Sequence, residues 1–149
     1  MKLRIAWIQA KPGKDKLAGV TAQTNEFVQR IARYVPVETR ELPSEAALFK
    51  DLDASKARPV LVLLDPRGKE MTSEEFAKFL ERHQQQGTQA LCFAVGGADG
   101  FTEKAHDEAQ TLLSLGRMTM PHELARVILL EQVYRAFTIL KGHPYHTGH

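Results

Sequence analysis

The chain closes on KGHPYHTGH, where His143, His146 and His149 follow a long apolar run and surround Pro144 and Tyr145. A cluster of imidazoles can ligate a metal, move protons or complete an active site. Zinc asks for about four ligands, and neither a cysteine nor a suitable carboxylate accompanies these histidines in sequence, so no metal is expected. They are too few and too widely spaced for a purification tag. What remains is a tail that reaches into an active site, or a disordered end. Two further segments could do chemistry. In GGADG, residues 96–100, Gly96, Gly97 and Gly100 allow backbone to approach a ligand closely. The GGxxG spacing is neither the dinucleotide fingerprint nor a P-loop, which excludes the usual NAD and ATP sites. A plain tight turn, with Asp99 closing it, is the alternative. In GRMTMPHE, residues 116–123, Met118 and Met120 read as a ligand wall or as core, and His122 as a catalytic or a structural group beside Pro121.

These segments must be positioned by one domain, since 149 residues support a substantial core but not two ordinary ones. Hydrophobic residues at 43% and charged residues at 26% are normal for a globular chain. Net charge is only +2, which permits a nucleic-acid partner without requiring one. The single cysteine, Cys92, lies in an apolar run and reads as core in a reducing compartment. No stretch approaches the ~20 apolar residues of a membrane span. A cytoplasmic protein with no membrane partner is expected.

Along the chain, LRIAWIQ (3–9) alternates as a strand, and Val20, Thr24, Phe27, Val28, Ile31 and Val35 recur at helical spacing. VETREL (37–42) is a modest strand, and Ser44 a plausible cap for a short helix. RPVLVLLD has the continuous aliphatic composition of a strand covered on both faces. Thr72 and Glu75 form a capping-box pattern ahead of Phe76, Phe79 and Leu80. ALCFAV (90–95), a polar helix near 102–110, a short TLLSL strand and a long helix opening at Pro121 complete an alternating pattern. The pattern predicts an α/β fold with a mainly parallel sheet flanked by helices, as a single domain over 1–149. In such a sheet ligands bind beyond the carboxyl ends of the strands. LLDPRGKEM, VGGADGF and LGRMTMPHE follow three of those ends and should cluster. The last helix is apolar around most of its circumference from Leu124 to Leu140, more than one domain of this size can enclose, so a homodimer interface is favoured.

The whole chain resembles the SPOUT class of methyltransferases, specifically the small bacterial family that methylates N3 of a pseudouridine in large-subunit ribosomal RNA. The resemblance is carried by MKLRIAWIQ, LLD with its following glycine, GGADG, MTMPHELARVILLEQVYRAF and the terminal HPYH. It implies a C-terminal trefoil knot holding bent S-adenosylmethionine, and a homodimer in which the tail of one subunit lies near the cofactor of the other. Cofactor contacts carried over fall on Leu64, Gly97 and the run Arg117, Met118, Thr119, Met120, Pro121 and His122, with Gly96 in the same glycine loop.

A sulfonium carries its own leaving group, so the protein mainly has to align donor and acceptor. Leu64, Met118, Met120 and the glycine loop could form a slot for adenine. The imide nitrogen of a uracil-type ring is protonated at neutral pH and needs a base or a stabilised anion. Tyr145 and His146 are the candidates on the substrate side, with Arg135 and Lys141 available for phosphate or base carbonyl; Arg135 could instead merely pair with Glu131 one helical turn away. With so little net charge, assembled ribosomes are the expected target in preference to free 23S ribosomal RNA. The competing expectation is a non-catalytic dimer that binds RNA or ribosomes and keeps the fold.

Overall fold

The computed structural model describes residues 1–11 and 15–146, the His146 side chain excepted. Its strands are β1 (Lys2–Ile8), β2 (Val37–Leu42), β3 (Val60–Glu70), β4 (Ala90–Val95) and β5 (Thr111–Ser114), all parallel, in the order β2-β1-β4-β3-β5. Between them run α1 (Val20–Ile31), α2 (Glu45–Asp53), α3 (Ser73–Gln85) and α4 (Glu103–Glu108); α5 (His122–Lys141) and a 3₁₀ turn (Pro144–His146) follow β5.

Strand alternation decides which helix covers which face. Leu3, Ile5 and Trp7 of β1, Val62 of β3 and Leu91 and Phe93 of β4 face α1, α3 and α5. Ala6, Leu61, Leu63, Cys92 and Ala94 face the other way, onto Leu48 and Leu52 of α2 and Ala105 of α4. Cys92 is fully buried there, and burial pushes its thiol up to about 12, so it serves as packing. On the first face α5 lies between α1 and α3, and seats Leu129, Leu130, Val133, Ala136 and Phe137 on the sheet. Each such side chain contributes about 1.5–3 kcal/mol of apolar burial.

Local signals in the sequence set the element ends. Ser44 accepts the Ala47 N–H at the start of α2, and Thr72 and Glu75 complete a reciprocal capping box on α3. Helix α1 stops at Ile31, earlier than its apolar spacing predicts; the N–H groups of Tyr34 and Val35 both turn back to the Ile31 carbonyl, and Pro36 forbids continuation. Val35 is nonetheless buried. Pro121 is the N-cap of α5, one position before the first turn, because its ψ of 138° is extended.

Strand β3 outlasts its aliphatic run. Leu64 and Lys69 both pair with Leu113, so residues 65–68 form an excursion before the strand rejoins β5 through Glu70 and Ser114. Gly68 makes this possible: a Cβ there would lie 2.6 Å from the backbone C and O of Leu112. The excursion is therefore pressed directly against the β5 backbone.

Candidate active site

The carboxyl ends of β3, β4 and β5 meet at a cleft of about 200 Å³. Its walls include Leu64, Gly96, Gly97, Met118, Thr119, Met120 and His122, so the three segments singled out by their sequence lie together. Asp65, Val95, Gly116 and Ala125 share the lining. Arg117 and Pro121 belong to the same run without lining the cleft; the Arg117 side chain is 91% exposed, and its nearest carboxylate is Glu70 at 3.9 Å. The surface offered is apolar side chain and backbone, suited to a flat heteroaromatic ring held edge-on by peptide groups.

Each wall is fixed from behind. The glycine loop closes on a hydrogen bond from the Gly100 N–H to the Gly97 carbonyl. A Cβ on Gly96 would sit 3.2 Å from Gly100 Cα and from the Phe101 ring, which is why side chains are absent there. Downstream, Thr102 donates its N–H and hydroxyl to Glu45, tying the loop to α2. On the β3 side, Asp65 Oδ1 accepts the Arg67 N–H at 2.7 Å, and Asp65 Oδ2 accepts from His106 Nε2 at 2.7 Å. The other ring nitrogen of His106 accepts from Arg67 Nη2 at 3.1 Å. Burial works against the Asp65 carboxylate, but the Arg67 and His106 donors outweigh it and hold the carboxyl below its ordinary range.

The tail lies elsewhere in the subunit. Helix α5 runs about 30 Å from His122 at the cleft to Lys141, and the chain then turns at Gly142 and folds back beside Glu131 and Tyr134. There, Glu131 Oε2 accepts from Arg135 Nη2 and from the Tyr145 hydroxyl, both at 2.8 Å. The Arg135 guanidinium also stands 5.2 Å from the centre of the Tyr145 ring. Burial, and then the bond to Glu131, push the Tyr145 hydroxyl up to about 12, so it is a donor at neutral pH. His143 Nδ1 is hydrogen-bonded to the Tyr34 hydroxyl, and Lys141 is exposed. The His146 side chain, and Thr147 to His149, lie outside the described residues. Among the described residues no group of three or more His, Cys, Asp or Glu could hold a metal ion, and no helix is long and apolar enough to cross a membrane.

Sequence reasoning missed two features. Arg126, 2% exposed, lies 4.1 Å from the centre of the Trp7 ring and bonds Asp15 and Gln9, while buried Glu123 accepts the N–H groups of Lys16 and Leu17. Together they pin the loop after β1 to the base of α5; the available signal was a lone arginine inside an apolar helical run. The second is a larger cavity of about 390 Å³ beside the cleft, sharing Leu115 and Gly116 with it. From its wall Ser73 donates to Gln132, whose amide donates to Glu131, so side-chain hydrogen bonds run from this cavity to the tail.

Two solved structures share this architecture at low identity. The tRNA (m1G37) methyltransferase from Aquifex aeolicus matches with a TM-score of 0.60 at 13% identity, over 91% of this chain and 70% of that one. The SpoU methyltransferase AviRb from Streptomyces viridochromogenes, in complex with AdoMet, gives 0.51 at 12% identity, over 89% of this chain and 56% of that one. The fold is thus one that methyltransferases use, with the cleft at the carboxyl edge of a parallel sheet. Sequence comparison narrows the class: the family described as Predicted SPOUT methyltransferase matches residues 1–146, and the chain belongs to it. Among its relatives, the ribosomal RNA large subunit methyltransferase H of Koribacter versatilis is 51% identical over 150 residues, covering 100% of both chains. The protein of the same name from a Geobacter species is 42% identical over 156 residues, covering 98% of this chain and 99% of its own.

Proposed function

We propose that the protein transfers a methyl group from S-adenosylmethionine to N3 of a pseudouridine in 23S ribosomal RNA, in the cytoplasm and on the assembled ribosome. The observation that carries this reading is the convergence of the three strand-end segments on one apolar, backbone-rich cleft in a chain of the SPOUT family. The names of its full-length relatives support ribosomal RNA of the large subunit as the substrate class.

When bound, S-adenosylmethionine supplies a methyl group on a sulfonium that is its own leaving group. Leu64, Met118 and Met120 would enclose the adenine, with Gly96, Gly97 and the backbone of Thr119 and His122 facing its polar edge. A knotted C-terminal part around the cofactor belongs to this reading. The acceptor N3–H must lose its proton as the N–methyl bond forms. Arg135 would set positive charge against the negative charge that develops on the ring, and Tyr145, whose hydroxyl proton is given to Glu131, would hold that carboxylate and Arg135 in place. His146 belongs to the substrate side of the same tail.

The tail hydroxyl of Tyr145 is held at Glu131, nine residues along α5 from His122 and so about 14 Å from the cleft end of that helix, and in this reading it serves the cleft of a second subunit. The apolar outer face of α5 supports a homodimer joined along that helix. The outward face of that helix leaves Leu124 41% exposed and Val127, Ile128 and Tyr134 half-buried. A net charge of +2 supplies little general attraction for naked RNA, which favours a preformed ribosomal surface as the target.

Methyl transfer from labelled S-adenosylmethionine to intact ribosomes lacking the modification, with free 23S RNA in parallel and the product base mapped by mass spectrometry, tests the reading. Label on a pseudouridine, chiefly in intact ribosomes, is expected. Saturable cofactor binding with no label would leave the non-catalytic ribosome-binding dimer in its place.

A further inference from the structure

We propose that the Arg117 side chain is an RNA contact, not a cofactor contact: it holds a backbone phosphate beside the target nucleotide, with Met118 lying against an adjoining base. The inference rests on the methyl-transfer reading above and identifies where the substrate strand crosses the mouth of the cleft.

The run from Leu115 to His122 supplies one cleft wall, yet within it two side chains turn outward. Arg117 is 91% exposed, and Met118 is 83% exposed, against 41% for the other exposed large hydrophobics, Leu17 and Leu124. Arg30, Arg58 and Arg135 each have a carboxylate at 2.8–2.9 Å; Arg33 and Arg82 are exposed without such a partner among the described residues, but neither lies in a segment that lines the cleft. Arg117 has only Glu70 at 3.9 Å, itself 59% exposed, a pairing that water and salt screen readily. Its planar fork is therefore available, and that fork matches a phosphodiester in geometry and charge.

Position adds direction to this chemistry. Leu115 and Gly116 separate the cleft from the larger neighbouring cavity, and Arg117 follows them immediately. In this proposal the acceptor base approaches the methyl group past this partition. Gly116, at φ +142° with open space where a Cβ would be, turns the chain so that the next two side chains leave the wall. Met118 touches the cleft with one side and projects from its mouth with the rest, presenting a polarisable apolar surface of the kind that covers a base.

The test compares Arg117→Ala, Arg117→Lys and Met118→Ser with the unaltered protein. S-adenosylmethionine affinity is read by calorimetry, and affinity for intact unmodified ribosomes by equilibrium binding over a range of salt concentrations. Arg117→Ala is expected to keep cofactor affinity within about twofold, to weaken ribosome binding about tenfold, and to lower the slope of log affinity against log salt by about one. Arg117→Lys should restore the slope; Met118→Ser should weaken ribosome binding with the slope unchanged. An unchanged slope in Arg117→Ala, or a loss confined to cofactor affinity, would overturn the assignment and return Arg117 to the cofactor. Ribosome binding without methyl transfer would count against the enzymatic reading alone, since the slope still decides the role of Arg117. Absence of ribosome binding by the unaltered protein would remove both.

Discussion

Tyr145 shows how one residue's surroundings select its chemistry. Burial and the Glu131 carboxylate raise its hydroxyl to about 12, so it donates a hydrogen bond throughout the working range and does not act as a base. Tyr145→Phe should lower methyl transfer at least about tenfold while the melting temperature stays within a few degrees, because it removes the donor that holds Glu131 and Arg135 in place. Rate profiles between about pH 6 and 10 should have the same shape in both proteins, because no tyrosinate forms in that window; a limb lost in the variant would mean that the hydroxyl itself titrates. Tyr145 and Arg135 were legible as functional candidates from their place in the YRAF and HPYH segments. Their shared acceptor, Glu131, was legible only as an i, i+4 partner of Arg135. The tail folds back through the C-cap at Gly142, and that turn, which brings Tyr145 onto Glu131 fourteen positions away, has no local signature beyond one glycine.

Elements were read best where their ends are encoded nearby. The Thr72–Glu75 box, the Ser44 cap and the alternation of β1 are properties of a few consecutive residues, and each is present in the folded chain. The continuation of β3 to Glu70 was not legible, because residues 65–70 are polar and charged and their strand character comes from β5, more than forty positions away. Two predictions belong here. Gly68→Ala drives a methyl group into the Leu112 backbone, so it should cost about 3 kcal/mol or more in denaturant unfolding and abolish cofactor binding; a variant as stable as its parent would show that the excursion can move off β5. Asp65 titrates below the ordinary carboxylate value in the folded state. Its stabilisation is therefore complete above the unfolded value near pH 4 and is lost as pH falls through the lower folded value. Asp65→Asn should lower the melting temperature at about pH 7, and the difference from the unaltered protein should shrink as pH falls below the unfolded value of about 4.

For the whole molecule, the proposed dimer, in which the tail of one subunit serves the cleft of the other, gives a test that no single-subunit enzyme could pass. A cleft-blocked variant, Gly97→Trp, and a tail variant, Tyr145→Phe, each impair both sites of their own dimer. When the two are unfolded and refolded together, half the dimers are mixed, and each mixed dimer has one site with an intact cleft and an intact tail, so about a quarter of full activity should return. Recovery no greater than the sum of the separate variants would place cleft and tail in the same subunit. The α/β class and parallel sheet were legible at this scale because apolar strands alternate with helices. Strand order was not, since β4 enters between β1 and β3 and leaves β5 at the edge. That edge position bears on how the chain is made. Strands β1 to β4 can assemble as the polypeptide leaves the ribosome, but the third wall of the cleft belongs to residues translated after Thr111, and the buried face of α5 later still. A nascent or prematurely terminated chain can therefore carry much of the sheet without a complete cleft, which exists only once synthesis has passed the last helix.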